Sequence, residues 1–367
     1  MTTDLLYQIA LTLIPTIGPV QAKSLIDRFG DARSIFSARH SLLRSLEGIG
    51  EIRAGSIKSF TGFHLAEMEM KFLETYNITP LFLTDPRYPQ RLLNCVDSPT
   101  LLYFKGDADL NWSKIVAIVG TRKNTTYGKQ QTEKLVAALA THGVMIISGL
   151  AYGIDALAHK AALANKLPTV GVMAHGLDQV YPSQHTLLAK EMIAGNGGLL
   201  TEFRRGTNPD RYNFPSRNRI VAGMCDATIV IETGVRGGSM ITAELANGYN
   251  RDVFAFPGKV TDLKSAGCNH LIRNNKAVLI SDAQELLELM NWTGQKKMRP
   301  RVQTQLFVDL SREERAIVAM LEGKDAMHID EINQRSGLSC STVAAAILNM
   351  ELQGILFCRP GKLYSLL

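Results

Sequence analysis

Residues 115–128, IVAIVGTRKNTTYG, decide the fold. The run Ile115–Val119 is apolar without alternation, as expected for a strand covered on both faces. Gly-Thr-Arg follows, and a helix is expected to begin near Tyr127. The same grammar recurs downstream. The runs VMIIS (144–148), TVGVMA (169–174), GLLT (198–201), ATIVIE (227–232), VFAFP (253–257) and AVLI (277–280) alternate with segments of helical spacing. Strands alternating with helices predict an α/β fold, a Rossmann-like, doubly wound and mainly parallel sheet. Such sheets take ligands outside the C-terminal ends of their strands.

Three other regions flank this one. Residues 1–77 read as helices, with apolar positions at helical spacing in DLLYQIALTLI and VQAKSLIDRFG. The glycines of IPTIGP and LEGIGE suit either a helix-hairpin-helix or the caps of a small bundle. The second reading is favoured, because this region holds 8 basic and 8 acidic residues. Residues 78–112 are punctuated by proline and read as a bridge leading into the sheet domain, which is expected to span 78–290. Residues 291–309 form a linker whose first part, NWTGQKKMRPR, holds four basic and no acidic residues.

Residues 310–367 predict a winged helix. Ser311 caps its first helix, with Glu314 three residues later. Its third helix lies in STVAAAILNMELQ, which has no Lys or Arg. A major-groove reader places Arg, Lys, Asn or Gln there, so a protein-contact or structural role is expected.

Composition excludes several classes. With 46% hydrophobic and 20% charged residues the chain folds rather than remaining disordered. No stretch approaches about 18 uninterrupted apolar residues, so no membrane span is expected. The N-terminus lacks the basic start of a secretory signal. Five scattered cysteines without a CxxC fit a reducing cytosol, and no metal site or cofactor is expected. The net charge of +6 is uneven, and the loop RRGTNPDRYNFPSRNR (204–219) alone has five arginines against one aspartate.

The expected chemistry lies at the strand ends. Gly120 and Thr121 form a turn where backbone can meet a phosphate, and Arg122 adds a charged fork. Arg211, Phe214, Arg217 and Arg219 interleave cations with a ring, the combination that unpaired nucleic acid needs. Gly237, Gly238 and Ser239 make a second anion cradle at a helix start, and Lys259 is expected at the same edge. Asp155 and His159, four apart, are read as structural in preference to acid–base or metal chemistry. Cys268 is likewise read as structural. No GxxxxGK[ST] occurs, so ATP hydrolysis is not expected.

The blocks VGTR (119–122), SGLAYGIDALAH (148–159), GLDQVYP (176–182), FPSRNRI (214–220), GVRGGSMITAELA (234–246) and FPG (256–258), in this order, resemble the DprA/Smf family of bacterial transformation. The resemblance implies an extended Rossmann-like domain between a helical domain (of the SAM or helix-hairpin-helix kind) and a winged helix. It implies binding and protection of incoming single-stranded DNA, loading of the RecA recombinase, and a homodimer formed through the Rossmann domain, with no catalysis. It assigns DNA contacts to Arg122, Arg211, Phe214, Arg217 and Arg219, and to Asn218. Gly237, Gly238 and Ser239 match its Gly-Gly-Ser turn. One alternative is a Rossmann-like nucleotide phosphoribohydrolase, because GGSMITAE is similar to PGGxGTxxE and puts Glu244 seven after Gly237. Met240 and Ile241 depart from that pattern. The other alternative is a winged-helix transcriptional regulator.

Overall fold

A computed structural model describes residues 3–293 and 310–366. Most of the basic linker therefore lies outside the described residues. The described chain forms two compact units, residues 1–279 and 280–367.

The first unit opens with helices α1 (Thr3–Thr12), α2 (Pro19–Phe29), α3 (Ala32–Ser37), α4 (His40–Arg44), α5 (Gly50–Lys58) and α6 (Phe63–Thr75). Gly18 is the N-cap of α2 with Pro19 behind it, and Gly30 closes the helix at φ +81°. Gly18 of IPTIGP therefore caps a helix, as the capping reading expects, whereas Gly48 and Gly50 of LEGIGE stand at φ +76° and +64° around Ile49, the N-cap of α5. The bundle has no core of its own. Leu25, Ile35 and Leu73 belong to one continuous buried cluster with Leu102, Ile115 and Val230 of the sheet.

The sheet holds nine strands: β1 (Thr79–Phe82), β2 (Leu101–Gly106), β3 (Ile115–Val119), β4 (Met145–Ser148), β5 (Thr169–Val172), β6 (Gly198–Thr201), β7 (Ala227–Val230), β8 (Asp252–Ala255) and β9 (Val278–Leu279). The spatial order is β1-β2-β6-β5-β4-β3-β7-β8-β9. From β6 to β9 all pairings are parallel. Every residue of β3 through β7 is buried, as continuous apolar runs require. The bridge region differs from expectation. Its LLYFKG run is β2, which pairs antiparallel to β6 and carries β1 on its far side. Proline punctuation hid this extension, because Pro80 lies on the outermost strand, where a missing N–H costs no ladder bond.

Helices α7 (Gln90–Leu93), α8 (Thr126–Leu139), α9 (Ile154–Ala164), α10 (Thr186–Ala194), α11 (Asn213–Gly223), α12 (Gly238–Gly248) and α13 (Ala266–Arg273) complete the unit. Winding reverses at β3, which has β4 on one side and β7 on the other. That is the topological switch point where such sheets open a crevice.

The second unit contains α14 (Ala283–Leu289) and a winged helix of α15 (Arg312–Leu321), β10 (Met327–His328), α16 (Ile329–Ser336), α17 (Cys340–Leu352), β11 (Leu356–Arg359) and β12 (Leu363–Leu366). Ser311 Oγ accepts the Glu314 N–H at 3.1 Å and Glu314 Oε2 accepts the Ser311 N–H at 2.7 Å, the expected capping box. The strand β10 was not anticipated. Its two residues pair with β12 and are too short to leave a sequence pattern. A core of its own, including Ile317, Ile332, Ile347 and Met350, holds the winged helix together.

Candidate nucleic-acid interface

A crevice of about 290 Å³ opens at the switch point. Three turns and one helix line it. The β3–α8 turn contributes Gly120, Thr121 and Arg122, and the β4–α9 turn contributes Gly149, Ala151 and Asp155. The β7–α12 turn contributes Thr233, Gly234, Gly237, Gly238 and Ser239. Helix α11 supplies Phe214, Arg217, Asn218 and Val221. The α11 residues stand at i, i+3, i+4 and i+7, which is one face of one helix.

Arg122 is exposed and has no acidic partner among the described residues. Its guanidinium lies 5.1 Å from the centroid of the half-buried Phe214 ring. Cation and ring therefore meet at the crevice mouth. Gly237 is the N-cap of α12 in extended conformation, and no side chain caps the helix. The Met240 N–H already donates to the Gly237 carbonyl at 3.0 Å, so the amides without an intrahelical acceptor are those of Gly238 and Ser239, both of which line the crevice. A Cβ on Gly238 would meet nothing within 4 Å, so the approach to these amides is open.

Several expected contacts are already engaged inside the protein. The Thr121 N–H donates to the Glu232 carbonyl at 2.7 Å, and its carbonyl accepts the Ile154 N–H at 3.2 Å. The β3–α8 turn is thus fixed, and its Thr121 amide is not available to a phosphate. Ser239 is buried and its hydroxyl donates to Thr233 Oγ1 at 2.7 Å. The cradle at α12 is therefore one of backbone only.

Arg217 needs the largest correction. It was expected to grip phosphate, yet it is only 4% exposed. Its guanidinium donates to the carbonyls of Gly149 and Val172, and Nε donates to Asn218 Oδ1 at 3.2 Å. Burial pulls its pKa down to about 10, opposed by the nearby Asp155 carboxylate. It remains charged at neutral pH and forms the crevice floor. Gly149 is the residue that admits it, because a Cβ there would lie 2.3 Å from a guanidinium nitrogen. Asn218 bridges outward from this floor, donating from Nδ2 to the Gly238 carbonyl at 3.4 Å.

Asp155 accepts the Gly149 and Ala151 amides at 3.2 and 3.4 Å. Burial raises its pKa, and the Arg217 charge opposes that rise. His159 is fully buried with Nδ1 at 2.7 Å from Thr169 Oγ1. Burial pushes its pKa down to about 3, so it stays neutral. Both side chains therefore act in structure, and the described residues contain no group of three or more His, Cys, Asp or Glu able to hold a metal. Cys268 is buried with its thiol pushed up to about 12, which makes it a poor nucleophile.

Three expected residues do not line the crevice. Arg219 turns to the other side of α11, where its guanidinium donates to the Asp97 carbonyl and to the Glu202 carboxylate. The physical reason is helical period: position 219 is five after Phe214, so it leaves the face that 214, 217, 218 and 221 share. Arg211 is exposed beyond the rim, its guanidinium 4.6 Å from the Tyr212 ring centroid. Lys259 is exposed on the β8–α13 turn. Glu244, the acid of the phosphoribohydrolase alternative, faces outward and pairs with Lys276 at 3.3 Å.

Sequence reading missed Thr233 and Tyr181. Thr233 follows β7 directly, and position after a strand was the available cue. Tyr181 sits in the GLDQVYP block, which no phosphate logic singled out.

Fold and site together define a doubly wound α/β protein whose switch-point crevice presents an exposed cation, an aromatic face and uncapped amides. Two family descriptions match the chain. The DNA recombination-mediator protein A family matches residues 79–291, and the DprA winged helix domain matches residues 303–362. Protein Smf of Synechocystis is 33% identical over 394 aligned positions, covering 98% of either chain. Among solved structures, DNA processing protein A from Streptococcus pneumoniae is 31% identical with a TM-score of 0.63, covering 78% of this chain and 97% of that one. DNA processing protein A from Helicobacter pylori, described for its single-stranded DNA binding mode, is 32% identical with a TM-score of 0.52, covering 58% of this chain and 94% of that one. The chain belongs to the DprA/Smf family.

Proposed function

We propose that this protein binds single-stranded DNA in the switch-point crevice, protects incoming strands and delivers them to the RecA recombinase during natural transformation. The carrying observation is the exposed Arg122 guanidinium 5.1 Å from the Phe214 ring, beside the open start of α12. A phosphate takes the guanidinium and the α12 amides, and an unpaired base takes the ring. A duplex is disfavoured because its bases are already stacked. The reading places the protein in the cytoplasm as a homodimer formed through the sheet domain, and no helix among the described residues is long and apolar enough to cross a membrane.

The test is fluorescence anisotropy on oligo-dT and on duplex across a salt series. Oligo-dT binds more tightly than duplex, with a logarithmic salt slope of about −0.7 per phosphate contacted. Phe214→Ala loses affinity by about 1–3 kcal/mol. Equal affinity for duplex, or an unaffected Phe214→Ala, overturns the reading. RecA delivery is read separately, as the rate of RecA filament growth on coated single strands with and without this protein. The outward, paired position of Glu244 weighs against base release, which an assay on nucleoside monophosphates checks directly.

A further inference from the structure

We propose that Tyr181 is a second base-stacking platform, taking the nucleotide next to the one on Phe214. The inference rests on the reading of the crevice as a single-strand site and extends it beyond the α11 face.

Tyr181 is 46% exposed. A tyrosine used for packing looks different in this molecule. Tyr88 is fully buried and its hydroxyl donates to the Pro99 carbonyl at 2.7 Å. The Tyr181 ring instead stands in solvent beside the crevice, its centroid 6.3 Å from that of Phe214 and its plane tilted by 48°. Phe214 in turn lies against Arg122. Phe214 thus neighbours both a cation, Arg122, and a second ring, Tyr181.

An exposed ring binds a base well when its mount is rigid, because little entropy remains to be lost. The mount of Tyr181 is fixed from below. Its N–H donates to Nε2 of the buried His175 at 3.2 Å, and His175 Nδ1 lies 2.8 Å from the Gly176 carbonyl. A carbonyl only accepts, so Nδ1 bears the hydrogen and Nε2 offers its lone pair to Tyr181. Burial lowers the His175 pKa, which favours the neutral ring that this hydrogen-bond pattern uses.

The turn that holds Tyr181 is also tied to the arginine loop. Both carboxylate oxygens of Asp178 accept the Gly206 N–H at 3.1 Å, and Gln179 Nε2 donates to the Thr207 carbonyl at 3.2 Å. On its far side the loop is held by α6, where Glu69 Oε1 accepts the Arg205 N–H at 3.1 Å. The turn with the second ring and the loop leading to Arg211 and Phe214 are thus one fastened assembly. Such a mount suits a strand that passes from Phe214 onto Tyr181. The ligand class is an unpaired nucleotide of any base, since every base has a stacking face.

An abasic scan of oligo-dT tests this, with one abasic nucleotide moved along the strand. Wild-type protein shows two neighbouring positions at which loss of the base weakens binding. Tyr181→Ala weakens binding to intact oligo-dT about tenfold, within the range for losing one stacked base. It also abolishes the cost at one of the two positions, while Phe214→Ala abolishes the cost at the other. Tyr181→Phe binds within about twofold of wild type, because the ring and not the hydroxyl stacks. The salt slope is unchanged in Tyr181→Ala, since no phosphate contact is removed. A single sensitive position in wild type overturns the proposal without any variant, and so does coupling of both rings to the same nucleotide. In either case Phe214→Ala still reports on the crevice reading, so the two failures are distinguishable.

Discussion

Arg122 and Arg217 line the same crevice in opposite states. Arg122 leaves a strand end, is exposed, and sets its guanidinium over the Phe214 ring. Arg217 is on α11, is 4% exposed, and gives its guanidinium to two backbone carbonyls. Arg219, two residues further, is committed to Glu202 and the Asp97 carbonyl. The arginine-rich stretch 204–219 therefore commits Arg217 and Arg219 to the fold, while Arg122 of the quieter VGTR turn stays exposed. Charge density in a sequence shows where cations are, not where they point.

This contrast breaks most readily at Arg217. Arg217→Ala leaves two buried carbonyls and the nearby Asp155 charge uncompensated, and costs about 3–5 kcal/mol in urea unfolding. A variant as stable as wild type would place Arg217 with the free cations instead.

The buried side also has a pH signature. His159 has a folded pKa of about 3 against an ordinary value of 6.5. Between these values the unfolded chain binds a proton that the folded chain refuses. Stability is therefore full above about pH 6.5 and falls as pH drops toward 3, by about 1.4 kcal/mol per pH unit at most from this group. His159→Gln, compared with wild type in urea titrations at pH 7 and pH 5, has the smaller pH dependence.

Arg219→Ala removes the hydrogen-bond partner of the Glu202 carboxylate, whose Oε1 is already unpaired, and costs about 1–3 kcal/mol of stability. Its salt slope for oligo-dT matches wild type, because no crevice phosphate is lost. A slope changed by a whole contact would return Arg219 to the interface. Arg122→Ala is the smallest effect on the fold, within about 0.5 kcal/mol. Its salt slope is shallower by about 0.7, one phosphate's worth.

Much of the fold was legible. Uninterrupted apolar runs marked β3 through β7, because a strand buried on both faces shows no alternation, and runs of the same kind marked β8 and β9, although Val278 and Leu279 of β9 are exposed. The capping box at Ser311 and Glu314 marked the start of α15, because the two residues satisfy each other's backbone. The antiparallel β1–β2 extension was not legible, since an outer strand tolerates proline and so imitates a loop. Nor was the shared core of the helical region and the sheet, which gathers residues as far apart in sequence as Leu73 and Leu102 into one buried cluster.

For the site, the sequence by itself determined which turns follow strands and which residue types they offer, because those follow from local periodicity and from glycine's freedom. The α11 face of Phe214, Arg217, Asn218 and Val221 was within reach of the same periodicity. Only the tertiary structure decided which guanidinium stays free. That depends on whether carbonyls such as those of Gly149 and Val172, or a carboxylate such as Glu202, arrive from elsewhere in the chain to take it. A buried cation must be paired or hydrogen-bonded and an exposed one need not be, and burial is settled by packing rather than by composition.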